Sequence, residues 1–340
     1  MTQELTSSER RLHLYARVLA VCTFLLVIAG GLVTSTGSGL AVPDWPLSYG
    51  QVMPPMVGGI FYEHGHRMVA TVVGIMTVVL AVLLWRIEKR SWVRVLGGVA
   101  LLAVIVQGVL GGLTVLLLLP TPISVLHAAL AQSFFTITVI IALVTSRGWR
   151  ADEPARTEGS TKTKVLSTLA VATIFLQLLL GAWMRHSDAG LAITDFPLSY
   201  GRVLPPVNSQ ELDQANALRL DHGLATVSEG QIWIHFAHRC GAVLATVMVL
   251  ILVWHVLSTY KTERRLREPA ILLGVLIVMQ FLFGALIVWT GKGVEIATIH
   301  TAMGALLLAT STFVAVRVFH LFTVQSTAAE YVAQAQPSHT

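Results

Sequence analysis

Long apolar runs recur along this chain, separated by short polar segments. About 20 consecutive apolar residues are enough for an α-helix to cross the hydrocarbon core of a bilayer. Each run reaches roughly that length. The pattern predicts eight membrane spans, near residues 18–35, 66–85, 95–117, 122–145, 165–185, 232–257, 270–290 and 296–318.

The composition agrees with a membrane protein. Hydrophobic residues make up 54% of the chain and charged residues 12%, whereas soluble domains contain about 25% charged residues. A soluble enzyme is therefore excluded. The net charge of +5 is explained more simply by bilayer insertion than by an acidic partner, so we expect contact with membrane lipid and no nucleic-acid partner. Cys22 and Cys240 both lie in apolar runs, which excludes a disulfide framework.

The positive residues fall mainly at one end of the predicted spans. Of the 23 Lys and Arg residues, 17 lie before the first span, after the second, fourth and sixth, or at the end of the eighth. Positive residues near span ends tend to remain cytoplasmic. We therefore predict a multi-pass protein of the cell membrane with both termini cytoplasmic.

The chain also contains an internal repeat. Residues 47–50 (Leu-Ser-Tyr-Gly) recur at 198–201, an offset of 151, and the His-Arg pair at 66–67 recurs at 238–239, an offset of 172. Halves with an even number of spans run parallel, related by an axis along the membrane normal. We predict an all-α integral membrane protein of two tandem pseudo-symmetric four-helix bundles, residues 1–150 and 151–340, joined by a polar linker near 146–164.

Four histidines occupy matched positions near the starts of the even-numbered spans: His66, His127, His238 and His300. These spans run from outside to inside, so we expect the four imidazoles at similar depth near the outer face. Ionisable groups in membrane helices are usually functional and face the bundle interior. Two histidines per bundle suit the axial positions of a haem iron. Zinc or non-haem iron usually needs three or four ligands close together.

The two halves differ beside the first histidine of each pair. Glu63 and His66 form a Glu-x-x-His motif, which di-iron sites use twice, but the second half has His235 and His238 instead. This asymmetry predicts one reactive half and one half that serves electron transfer or structure. Glu63 is also placed to form an ion pair with Arg67, and the two roles are compatible.

Several other polar residues have two interpretations. Arg67 and Arg239 follow their histidines and would either grip haem propionates or anchor lipid headgroups. Gln107 and Gln280 would either contact a ligand or bond between helices. We expect the remaining histidines near outer loops to be solvated: His64, His186, His222 and His235. Glycines within the spans, including Gly30, Gly111, Gly181 and Gly284, are expected to allow close helix packing.

Taken together, the residues resemble the haem A synthase family. The resemblance is carried by residues 36–47 (Thr-Gly-Ser-Gly-Leu-Ala-Val-Pro-Asp-Trp-Pro-Leu), by residues 63–67 (Glu-His-Gly-His-Arg) and by their counterparts through His300, and it covers all eight spans. It implies oxidation of the C8 methyl group of haem O to a formyl group, giving haem A for terminal oxidases. Haem O synthase and terminal oxidase assembly are the partners that it implies.

The resemblance also implies a role for each half. His66 and His127 would bind the substrate haem O, with Glu63 as the essential carboxylate, whereas His238 and His300 would hold haem B as cofactor. Many bacterial members carry a cysteine pair around the positions of Val42 and Ser48, and this chain has none there. A mechanism that requires that disulfide therefore does not operate here.

Two other functions use the same histidines. A di-haem electron-transfer cytochrome would have no need for Glu63, and a haem transporter or chaperone would have at least one weakly ligated site. The sequence leaves the oligomeric state open, a homo-oligomer included.

Overall fold

The computed structural model describes residues 5–151, 160–206 and 208–335. Its helices are α1 (Ser7–Ser35), α2 (Gly58–Ile87), α3 (Ser91–Leu116), α4 (Thr121–Val144), α5 (Arg147–Arg150), α6 (Ser160–His186), α7 (Ser209–Asp221), α8 (Glu229–Thr259), α9 (Arg264–Trp289) and α10 (Val294–Ala335). All except the short α5 and α7 are long and apolar enough to cross a membrane. The prediction of an all-α protein with eight spans is confirmed. Of the predicted linker near 146–164, residues 152–159 lie outside the described residues.

The helices extend beyond the apolar runs that predicted them. α1 begins at Ser7 rather than near 18, because Thr6 and Glu9 form a capping box in which each side chain accepts the backbone N–H of the other residue. α2 begins at Gly58 rather than near 66. His66 therefore lies two turns inside its helix. α7 was not predicted, because its sequence is polar and contains no long apolar run. Its N-terminus is fixed by the side chain of Asn208, which accepts the backbone N–H of Glu211.

The eight long helices pack as two rings. In the first ring α1, α2, α3 and α4 contact one another in succession and α4 returns to α1; in the second, α6, α8, α9 and α10 do the same. α2 therefore lies diagonally across its ring from α4, and α8 lies diagonally across from α10. The rings meet through α1, α4, α6 and α10. α4 and α10 lie at the centre and have the most buried spans.

Two ends of the molecule are distinguished by what they carry. Segments 36–57, 187–206 and 208–228 lie at one end, here called the loop face, and the start of α1 lies at the other, the terminal face. Each ring has an apolar core that includes leucines near the terminal face, such as Leu12 and Leu84 in the first and Leu266 and Leu321 in the second. Apolar burial stabilises these regions.

A buried ion-pair network closes the terminal face of the first ring. Glu88, directly after α2, is only 2% exposed, and its Oε2 accepts hydrogen bonds from Nη2 of Arg90 (2.7 Å) and Nη2 of Arg150 (2.9 Å). Arg90 also donates to the carbonyl of Val144 (2.8 Å), at the end of α4. Burial alone would raise the pKa of Glu88, but the hydrogen bonds and charges of Arg90 and Arg150 outweigh it and lower the pKa to about 2.

We expect Glu88→Gln to destabilise the protein by roughly 1–3 kcal/mol at neutral pH, because a buried hydrogen-bonded charge is lost. The folded carboxyl has a lower pKa than the ordinary value of 4.5. Its stabilisation is therefore complete above pH 4.5 and is lost as the pH falls towards 2. Thermal unfolding in detergent should show the two proteins converging over that range. A difference in thermal stability that stays constant with pH would contradict this account. So would an equal loss of stability in Glu268→Gln, a control at an exposed ion pair.

Candidate functional site

Two loops at the loop face are built in the same way. In segment 36–57, the carboxylate of Asp44 accepts the backbone N–H groups of Tyr49 (2.7 Å) and Gly50 (2.8 Å). In segment 187–206, at an offset of 151, Asp195 accepts those of residues 200 (2.6 Å) and 201 (2.8 Å). Backbone hydrogen bonds lower the pKa of Asp44, so this carboxylate stays ionised and holds the turn.

An arginine fastens each loop to a long helix, Arg67 to α2 and Arg239 to α8. Arg67 donates to the carbonyls of residues 44 (2.7 Å), 47 (3.0 Å) and 42 (3.2 Å). Arg239 donates to those of residues 195 (2.7 Å), 198 (2.8 Å) and 193 (3.2 Å). The sequence suggested haem propionates or lipid headgroups as partners, whereas the structure places both guanidinium groups on loop carbonyls.

Glu63 and His235 perform one structural task in the two halves. Glu63 is 4% exposed; its Oε2 accepts the N–H of Val42 (2.8 Å) and its Oε1 pairs with Arg67 (2.5 Å). His235 is 3% exposed, and its Nδ1 accepts the N–H of Ile193 (3.2 Å). The expectation that His235 is solvated was wrong, because the loop folds over it. The ion pair predicted for Glu63 is present.

His64 is the second histidine that is buried rather than solvated. It is 6% exposed, and its Nδ1 lies 2.8 Å from Oγ of Ser48 in a hydrogen bond that joins the first loop to α2. His186, at the end of α6, is half-buried, and its carbonyl accepts a hydrogen bond from Oγ1 of Thr121. His222 is exposed, as expected.

Each of the four predicted ligand histidines lies against a glycine of the neighbouring helix. A Cβ built on that glycine would lie close to Cε1 of the imidazole: 3.1 Å for Gly30 and His66, 3.1 Å for Gly111 and His127, 2.9 Å for Gly181 and His238, and 3.3 Å for Gly284 and His300. Most real Cβ contacts are longer than these. The glycines were expected to serve helix packing, and the structure shows that they specifically provide room for the four rings.

Glutamines contact three of the four histidines. Nε2 of Gln107 lies 3.3 Å from Nε2 of His127, and Nε2 of Gln280 lies at the same distance from Nε2 of His300. Gln177 on α6 donates to the carbonyl of His238 (2.8 Å) and lies 3.0 Å from its Nδ1. Sequence reasoning missed Gln177, although a polar residue inside an apolar run was a signal that could have found it.

The four histidines are divided between the two rings, two in each. His66 and His127 stand on the diagonal helices α2 and α4, and His238 and His300 stand on the diagonal helices α8 and α10. Nδ1 is buried without a hydrogen-bond partner in three of them: His66, His127 and His300. Among the described residues, no group of three or more His, Cys, Asp or Glu side chains could hold a metal ion alone. This donor set fits haem, which needs only axial ligands from the protein.

Comparison with known proteins identifies the family. The model of the cytochrome oxidase assembly protein family matches residues 13–59 and 56–312. The chain belongs to this family. Among curated members, a haem A synthase of Alkalihalophilus pseudofirmus is 28% identical over 88% of this chain and 94% of its own length, and one of Symbiobacterium thermophilum is 32% identical over 72% of each.

A haem A synthase of Halalkalibacterium halodurans is 28% identical over 90% of this chain and 96% of its own length. The family model, which matches residues 13–59 and 56–312, covers both rings and all four histidines that lie against glycines.

The glycine contacts of this family member can be tested with two alanine variants on α3. Gly111→Ala places a methyl group against His127, so we expect the ring to move and bound haem per chain to fall by roughly half, since one of two proposed sites is affected. Gly108→Ala is the matched control, because its Cβ would meet nothing within 4 Å. Pyridine haemochrome assays measure the haem content. Equal haem in both variants would show that the glycine contact is unimportant.

Proposed function

We propose that this chain is a haem A synthase, a membrane oxidoreductase that converts the C8 methyl group of haem O to a formyl group. The support is the family match and the curated relatives named haem A synthase, which cover 88–90% of the chain. In this proposal residues 1–150 form the substrate half and residues 151–340 the haem B half. Haem O synthase would supply the substrate, and terminal oxidase assembly would consume the product.

The observation that carries the proposal is an asymmetry between two otherwise matched sites. Both histidine pairs stand on diagonal helices with glycines beside the rings, but only the first has a carboxylate, Glu63, one turn before its histidine. The second has His235 in that place. An electron-transfer protein with two equivalent haems has no use for this difference, whereas a reactive site beside an electron-relay site does.

Each residue has a defined task in this proposal. His66 and His127 would hold haem O, and His238 and His300 would hold haem B, which supplies a redox-active iron when bound. Arg67 and the backbone of Val42 hold the Glu63 carboxylate in place. From there Glu63 would take up protons released during oxidation or stabilise positive charge beside the ring. We place the loop face, with both sites near it, on the outer side of the cell membrane.

The reaction is tested by the haems that the purified full-length protein carries. We expect acid–acetone extraction and chromatography to show haem A or its alcohol intermediate only when active haem O synthase is coexpressed, because the farnesylated substrate haem O is then present. Haem B alone in both preparations would contradict the proposal and would favour a di-haem electron carrier or a haem transporter.

The role of Glu63 is tested separately by comparing carboxylate variants. Glu63→Gln keeps an oxygen that can accept the Val42 N–H but loses the charge, so we expect conversion to fall by roughly 10²–10⁴-fold with both haems retained. Glu63→Asp should recover part of the loss, and Glu268→Gln, at an exposed pair on α9, should convert normally. Full turnover in Glu63→Gln would remove Glu63 from the mechanism.

A further inference from the structure

One face of α6 carries a row of residues directed at the second histidine pair. Gln177, Gly181 and Arg185 are spaced four residues apart and so lie on one side of the helix. The first two contact His238 directly. Arg185 therefore lies one turn from the His238 contact, towards the loop face.

Arg185 is also linked, through Ser35 at the end of α1, to the helix that carries the other histidine of the pair. Its Nη2 donates to Oγ of Ser35 (2.8 Å), which also accepts a hydrogen bond from Oγ1 of Thr298 (3.0 Å), two residues before His300 on α10. Arg185 is thus one helical turn from the residue that contacts His238 and one bridging hydroxyl from the helix of His300.

The guanidinium of Arg185 has no counter-ion within the described residues. It forms no ion pair there, and its Nε is buried without a hydrogen-bond partner. Lys292, in the turn before α10, is exposed and adds a second positive charge nearby. Asp188, an acidic residue near Lys292, is exposed. Arg185 is only partly exposed, and a positive charge held partly out of water without a counter-ion is costly, so this site favours binding of an anion.

The corresponding part of the first half lacks these charges. Thr34 corresponds to Arg185 at the offset of 151, and Leu119 corresponds to Lys292 at 173. The arginines that follow the histidines, Arg67 and Arg239, each donate to three loop carbonyls instead. The anion site is therefore specific to the second half and is distinct from both arginines that the sequence singled out.

We infer that Arg185, assisted by Lys292, binds a propionate carboxylate of the haem held by His238 and His300. The inference rests on the proposed function only in taking that group to be haem. It makes Arg185 a binding and orienting residue, because a guanidinium fixes a carboxylate through paired hydrogen bonds. It also gives the second haem a positive environment that the first one lacks.

The test combines a change in the protein with a change in the ligand. Full-length protein with His66→Ala, which restricts bis-histidine ligation to the second half, is produced haem-depleted and titrated with haem B or with haem B dimethyl ester, whose propionates are uncharged. We expect Arg185→Gln to weaken haem B binding by about 10- to 100-fold and to leave ester binding unchanged. Arg202→Gln, at an exposed pair, is the control and should change neither.

Other outcomes would overturn the inference. If Arg185→Gln weakens the binding of haem B and of its ester equally, the role of Arg185 is purely structural. If Arg239→Gln, and not Arg185→Gln, weakens haem B binding selectively, the carboxylate is bound by Arg239. An effect of Arg185→Gln that appears only in nanodiscs with anionic lipid would assign the site to a lipid headgroup. Because these titrations need neither haem O nor turnover, failure of the proposed reaction would leave the result for Arg185 intact.

Discussion

Four imidazole rings lie against four glycines, and the arrangement of both candidate sites depends on these contacts. A membrane bundle offers little water to solvate a buried imidazole, so the ring needs both space and a partner. The glycines give the space, because a Cβ at any of these positions would lie within 3.3 Å of the ring. Glutamines on adjacent helices contact three of the rings, and Nδ1 of His66, His127 and His300 remains without a hydrogen-bond partner. The two histidines of each pair stand on diagonal helices of their ring.

The two halves share this frame and differ in the charges around it. The first half has the buried Glu63, paired with Arg67. In the second half His235 takes the place of that carboxylate and accepts a backbone N–H of the loop in the same way. The second half also has Gln177 and Arg185 along α6. Since the loop geometry is preserved, these substitutions alter chemistry more than shape. A negative group beside one histidine pair and a positive group beside the other is a physical basis for assigning them different tasks.

The sequence predicted the eight spans and the four matched histidines, because apolar length and repeated ionisable residues are visible without coordinates. It missed features that depend on how loops fold back. His64 and His235 were expected to be solvated, but segments 36–57 and 187–206 cover them. The ion pair of Arg67 with Glu63 was predicted, but the loop carbonyls that accept hydrogen bonds from Arg67 and Arg239 were not, because they are distant in sequence. The glycines were recognised, yet only the structure shows which ring each one contacts.

The central claim is that the chain holds two separate bis-histidine haem sites. It is tested most directly by low-temperature electron paramagnetic resonance and near-infrared magnetic circular dichroism of four single variants, each with one of the four histidines changed to alanine. The account predicts that His66→Ala and His127→Ala abolish the same low-spin signal, and that His238→Ala and His300→Ala abolish the other. Loss of both signals in well-folded protein from one substitution, or a different pairing of the four variants, would contradict it.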